Sequence, residues 1–133
     1  MASLIIGSFT LVKSENFDEF MKALGVGMVM RKMGNSATPT VTFTEAAGEY
    51  TMKTVTTFKT SEVKFKLNTP FKETTMDGRE AESTFTLDGS ILTQIQKASK
   101  GPDVKYIREF TANELITTCE VGEVKSIRTY KRN

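Results

Sequence analysis

The chain has 133 residues, a length that suits a single folded unit over 1–133, and its 18 Lys and Arg against 16 Asp and Glu leave a net charge of only +2. Those charges are interspersed, unlike the clustered basic surface of a nucleic-acid binder, so no nucleic-acid partner is expected. The sequence contains no histidine and one cysteine, Cys119, which excludes a disulfide framework, a zinc site and every Ser/His or Cys/His nucleophile scheme.

No apolar run approaches the roughly 20 residues that span a bilayer. Leu4, Ile5 and Ile6 lack the basic flank of a secretory signal, and an isolated cysteine suits a reducing compartment. A cytoplasmic location is the expectation. The reading names no cofactor, no metal and no catalytic residue.

In chain order, a strand precedes the only helical stretch. Asn16 reads as an N-cap with Glu19 three residues on, a capping-box arrangement. Phe17, Phe20, Met21 and Leu24 recur at i, i+3, i+4 and i+7 and form one apolar stripe. Gly25 and Gly27 interrupt it. A second short helix is expected from Gly27 to Met33, with Gly34 as its stop.

Beyond the helices the chain alternates between Thr-, Val-, Ile-, Phe- and Tyr-rich segments and turn signals. The signals are Ala47-Gly48, Lys59–Ser61, Asn68–Pro70, Asp77-Gly78, Asp88-Gly89, Lys100–Asp103, Thr111–Asn113 and Val121-Gly122. This predicts an all-β fold of about ten antiparallel strands with a short helix-turn-helix after the first, an up-and-down β-barrel or a closed-off clam.

Strand alternation then divides each segment into two faces. Val63, Phe65 and Leu67 face inward, opposite Glu62, Lys64 and Lys66. The segment 104–110 puts Val104, Tyr106, Arg108 and Phe110 on one face, so Arg108 points inward between two aromatics. In the last strand Lys125, Ile127, Thr129 and Lys131 face solvent, which turns Ser126, Arg128 and Tyr130 inward and leaves Ile127 as an exposed aliphatic.

An unpaired buried guanidinium is very costly. The neighbouring inner faces, Leu92, Gln94 and Gln96 on one strand and Leu115, Thr117 and Cys119 on another, offer no obvious acid. An anionic ligand is then the economical partner, because a guanidinium fork matches a carboxylate and a tyrosine hydroxyl can add a third bond. Cys119, in step with Leu115 and Thr117, is expected to be buried and inert. The remaining inner positions, among them Tyr50, Met52, Thr54, Thr56, Phe58, Ala81, Ser83 and Phe85, mix apolar and small polar groups. That mixture suits a cavity better than a packed core.

These features resemble the fatty-acid-binding proteins among the intracellular lipid-binding proteins, specifically the heart/muscle type. The resemblance rests on Gly7-Ser8-Phe9-Thr10-Leu11, Asn16-Phe17-Asp18-Glu19-Phe20-Met21, Leu24-Gly25-Val26, Arg31-Lys32, Phe58-Lys59, Phe65-Lys66-Leu67, Asp77-Gly78-Arg79, Arg108-Glu109 and Arg128-Thr129-Tyr130, and it spans the chain. Phe9 stands where the family usually has tryptophan, and Thr117 and Cys119 replace aliphatics common at cavity-facing positions.

The resemblance implies a ten-stranded antiparallel up-and-down β-barrel (a β-clam) lidded by the helix-turn-helix, and a carrier, not an enzyme, that holds one or two long-chain fatty acids. Arg108, Arg128 and Tyr130 match the family's carboxylate-binding trio, and Phe17, Met21, Thr54, Phe58, Met76 and Asp77 match positions along the portal and acyl-chain path. The retinol-binding branch usually has glutamines where this chain has arginines, so the alternative is retinoic acid or another hydrophobic carboxylate. A monomer is expected. Lys22, Arg31 and Lys32 on the helical lid, read as solvent-facing, could give transient contact with anionic membranes.

Overall fold

A computed structural model describes residues 4–75 and 78–133 of the chain. Ten strands and two helices follow in the order β1 (Gly7–Glu15), α1 (Phe17–Ala23), α2 (Met28–Ser36), β2 (Thr40–Ala46), β3 (Glu49–Val55), β4 (Thr60–Phe65), β5 (Phe71–Thr74), β6 (Glu80–Asp88), β7 (Ile91–Ala98), β8 (Val104–Phe110), β9 (Glu114–Val121) and β10 (Val124–Arg132). All pairings are antiparallel. The sheet order is β4-β3-β2-β1-β10-β9-β8-β7-β6-β5, so β1 joins the two ends of the chain by pairing with β10. The meander expected from the turn spacing, and the lidded ten-stranded β-clam that the family resemblance implies, are the observed architecture.

Alternation of burial along the strands fixes the inner face as predicted. On β10 Ser126, Arg128 and Tyr130 are buried while Lys125, Ile127 and Lys131 are exposed. On β8 Val104, Arg108 and Phe110 are buried. A one-residue slip in either strand would turn that strand's inward arginine to solvent and drive its outer lysine side chains inside, so the register is strongly specified. In β1 the register with β10 shifts between Leu11 and Lys13, a bulge that leaves Val12 exposed.

The two ends of the sheet, β4 and β5, share no ladder among the described residues. Rings close the seam instead. Tyr50 stacks on Phe65, Phe65 of β4 stacks on Phe85 of β6 at 3.7 Å between centroids, and Phe85 faces Phe71 of β5 with 7° between planes. The backbone N–H of Asn68 adds a bond to the Phe85 carbonyl. Beneath lies the main core, where Phe9, Phe43 and Phe110 meet edge to face. Phe9 therefore keeps the packing role of a large aromatic.

The lid differs from the sequence reading in two places. Asn16 has φ 62° and ψ 22°, a left-handed conformation in which its side chain cannot cap α1. Its Nδ2 donates instead to the Lys125 carbonyl at 2.8 Å, tying the helix start to β10, so no capping box forms. Gly34 does not end α2, which runs on to Ser36. Gly34 is there for closeness: a Cβ at this position would lie 2.7 Å from the Met21 sulfur. The missing side chain lets α2 settle on α1.

Phe20 and Met21 bury the stripe of α1 against Val104, Cys119 and Val121 at one end of the barrel. Asp18 then fastens the two helices, accepting from Arg31 Nε at 3.2 Å and from Asn35 Nδ2 at 2.9 Å. Arg31 Nη1 also donates to the Val26 carbonyl, so Arg31 is a structural clamp of the lid and not the free solvent-facing charge expected from the sequence.

Candidate functional site

Between lid and barrel lies a cavity of about 360 Å³, within the range of ordinary ligand pockets. Phe17 and Met21 from α1, Thr54 from β3, Arg108 from β8, and Arg128 and Tyr130 from β10 all line it. Phe58 lies in the turn between β3 and β4, half exposed at the rim. Met76 and Asp77 lie outside the described residues. The other candidate residues are thus gathered around one space, although they come from five separate segments of the chain.

The register explains how the arginines meet. Arg128 is opposite Thr117, and Thr117 is opposite Arg108, so both guanidiniums stand on one rung of the sheet with β9 between them. Two strand spacings separate their backbones by about 10 Å. Tyr130 is the next inward residue beyond Arg128, opposite Leu115.

Arg108 is 8% exposed and donates from Nη1 to the Gln94 Oε1 at 2.9 Å. Its guanidinium carbon lies 5.1 Å from the centre of the Tyr106 ring and 5.8 Å from that of Phe85. Burial pushes its pKa below the ordinary arginine value, while Tyr106, Cys119, Tyr130 and Glu73 act electrostatically in the opposite direction.

Glu73 is the residue the sequence reading missed. It lies on β5 two positions from the core-facing Phe71, so it points inward, and its Oε2 accepts from Ser83 Oγ, from Gln94 Nε2 at 3.1 Å and from Gln96 Nε2 at 3.4 Å. The inner faces therefore do contain an acid. It acts on Arg108 through Gln94, whose amide bonds the guanidinium at one end and the carboxylate at the other. Period-two alternation from Phe71 was the available signal, obscured because β5 is only four residues long.

Arg128 has a different setting. It is 5% exposed, its Nη1 donates to the hydroxyl of Ser14 at 3.1 Å, and its guanidinium carbon lies 3.7 Å from the centre of the Phe17 ring. Among the described residues no carboxylate pairs with it.

Cys119 is buried in the same wall. Burial pushes its thiol up to about 11 despite the nearby Arg128 and Arg108, which leaves it protonated and unreactive at neutral pH.

An almost closed, lidded barrel with apolar walls and a cationic interior defines a lipid-binding carrier. A profile of the lipocalin / cytosolic fatty-acid binding protein family matches residues 6–133. Among curated proteins the chain is 44% identical to the sodium/calcium exchanger regulatory protein 1 of Doryteuthis pealeii over 132 residues, covering 99% of this chain and 98% of that one. Among solved structures, a fatty-acid-binding protein from brain tissue of Drosophila melanogaster is 54% identical with a TM-score of 0.90, covering 96% of this chain and 98% of its own. The Schistosoma mansoni fatty acid binding protein in complex with arachidonic acid is 41% identical with a TM-score of 0.95, covering 98% of this chain and 97% of its own.

The chain belongs to the lipocalin / cytosolic fatty-acid binding protein family. It is a lipid carrier and not an enzyme.

Proposed function

We propose that the protein carries long-chain fatty acids in the cytoplasm, one or two per monomer, with the carboxylate held by Arg128 and Tyr130 and supported by Arg108. The observation that carries this reading is Arg128, an almost fully buried guanidinium whose hydrogen bond goes to the neutral hydroxyl of Ser14. Leaving such a charge uncompensated is expensive, and a ligand carboxylate removes the penalty. Arg108 already has Glu73 as a distant counter-charge, so it plays the secondary part.

The apolar chain supplies most of the affinity. About 15 methylenes at ~0.8 kcal/mol each give roughly 12 kcal/mol before the cost of association. Charge-assisted bonds add about 1.5–3 kcal/mol each and orient the head. The arachidonic acid held by the Schistosoma protein supports a fatty acid over other carboxylates. Phe17, Met21, Thr54 and Phe58 would line the chain's path. Retinoic acid is the competing ligand.

Titrating a long-chain fatty acid and retinoic acid by calorimetry into the wild type and Arg128→Ala tests the reading. Fatty acid should bind the wild type more tightly, and the variant should lose roughly 10- to 100-fold in affinity while its circular dichroism is unchanged. Equal affinity in the two proteins would overturn the carboxylate assignment.

The lid supports a further part of this function. α2 has no buried residue, and Met28 and Val29 are 71% and 73% exposed. Lys22 and Lys32 lie on the same lid in solvent. Exposed aliphatics beside lysines suit transient docking on an anionic membrane, where ligand could be handed over.

A further inference from the structure

Gln96 faces the cavity from β7 and is 5% exposed, yet its side-chain oxygen has no hydrogen-bond donor among the described residues. The orientation of its amide is not arbitrary. Glu73 can only accept, so the Gln96 Nε2 must face that carboxylate, as it does at 3.4 Å, and Oε1 is left pointing away. The Ser83 hydroxyl and the Gln94 amide both donate to the same Glu73 oxygen, and no donor among the described residues reaches the Gln96 Oε1. A buried acceptor left without a donor costs about 1–3 kcal/mol.

We infer that the side-chain oxygen of Gln96, turned toward the cavity because Glu73 holds the amide nitrogen, forms a second polar subsite that takes a hydrogen-bond donor carried by the ligand, and that the cavity consequently favours long-chain fatty acids hydroxylated in mid-chain. The inference rests on the carboxylate assignment at Arg128. A carboxylate head is repelled by Glu73 and attracted to Arg128, whereas a hydroxyl can donate to the Gln96 oxygen.

The register gives the spacing. Leu92 of β7 stands on the rung shared by Arg108, Thr117 and Arg128, and Gln96 is four residues farther along β7 and three strands from β10. The two subsites are thus on the order of 10 Å apart or more. A hydroxyl next to the head group cannot span that distance; one in the middle of the chain can.

The test is a calorimetric series with an 18-carbon saturated acid and its monohydroxy positional isomers, on the wild type and on Gln96→Met. In a purely apolar cavity every hydroxyl weakens binding. Here one or more mid-chain isomers should bind the wild type at least as tightly as the parent acid, and the 2-hydroxy isomer should bind more weakly. Gln96→Met should weaken the favoured isomer roughly 10-fold and move the parent acid less than twofold. If all isomers bind more weakly than the parent by factors that Gln96→Met leaves unchanged, the subsite does not exist and internal water satisfies Gln96.

Should the variant fold poorly, the wild type suffices. The side-chain amide resonances of Gln96 must shift more with a mid-chain hydroxy acid than with the parent, and equal shifts overturn the inference. If neither the parent acid nor any isomer binds the wild type, the carrier reading itself falls and this inference with it.

Discussion

The first residue of α1 stands over a buried charge in the cavity wall: the Phe17 ring centre is 3.7 Å from the guanidinium carbon of Arg128. The lid is therefore in direct contact with the guanidinium proposed to seat the head group. The ring excludes water from one face of the guanidinium, while Asn16 holds the start of the helix to β10 through the Lys125 carbonyl. A cation–π contact of this kind is worth about 1–2 kcal/mol when desolvated.

Removing the ring should loosen the ligand without disturbing the barrel. Phe17→Ala is expected to raise the fatty-acid dissociation rate roughly 5- to 30-fold, with a smaller change in the association rate. Stopped-flow displacement measures both. An unchanged dissociation rate would separate the lid from the site.

Glu73 steadies Arg108 through Gln94 and should oppose an anionic ligand electrostatically. Glu73→Gln keeps an acceptor for Ser83 and Gln94 but removes the negative charge. The apo-protein should become less stable, by about 1 kcal/mol in denaturant unfolding, and a fatty acid should bind several-fold more tightly because both guanidiniums then await an anion. Weaker fatty-acid binding in the variant would show that the acid helps hold the ligand.

The Cys119 thiol links stability to alkaline pH. Its ordinary value is 9.0 and burial raises it to about 11 in the folded protein, so the unfolded chain loses this proton first. The unfolded state then binds fewer protons between those values, and stability must fall as pH rises through the window. The loss should reach roughly 2–3 kcal/mol relative to a Cys119→Ala variant measured in parallel. Identical pH profiles in the two proteins would contradict a buried thiol. So would labelling by a thiol reagent at pH 7 as fast as in denaturant.

Transfer to membranes should run through the exposed face of α2. Ligand transfer to anionic vesicles is expected to accelerate with vesicle concentration and to slow with salt. Changing Lys22 and Lys32 to Gln, with Val29→Ser, should flatten both dependences and leave equilibrium affinity unchanged. Arg31 is left intact in this design because its bonds to Asp18 and Val26 hold the lid together. A wild-type rate indifferent to vesicle concentration would mean release into water.

The inward arginines were legible because β8 and β10 run for seven and nine residues and carry charged side chains on the opposite face, Lys105 and Glu109 on one and Lys125 and Lys131 on the other. Glu73 was not, since four residues give alternation little to work on and an acid beside lysine reads as surface. Asn16 and Gly34 misled for a shared reason. Each was read for its local helix-ending or helix-starting preference, whereas tertiary closeness decides: Asn16 bonds a distant strand, and Gly34 makes room for Met21. Arg31 looked like any helix charge because its partner Asp18 lies on the other helix.

The aromatic seam also governs how the molecule meets copies of itself. Strands β4 and β5 each carry an edge of unpaired backbone groups, the usual starting point for one chain to add to another's sheet. In the almost closed barrel these edges, unpaired among the described residues, lie at the two ends of the sheet bridged by the ring stack, and β5 is only four residues long. The rings of Phe65, Phe71 and Phe85 keep them so. Any fluctuation that parts the stack uncovers two adhesive edges at once, which makes the seam the origin from which this protein would begin to polymerise.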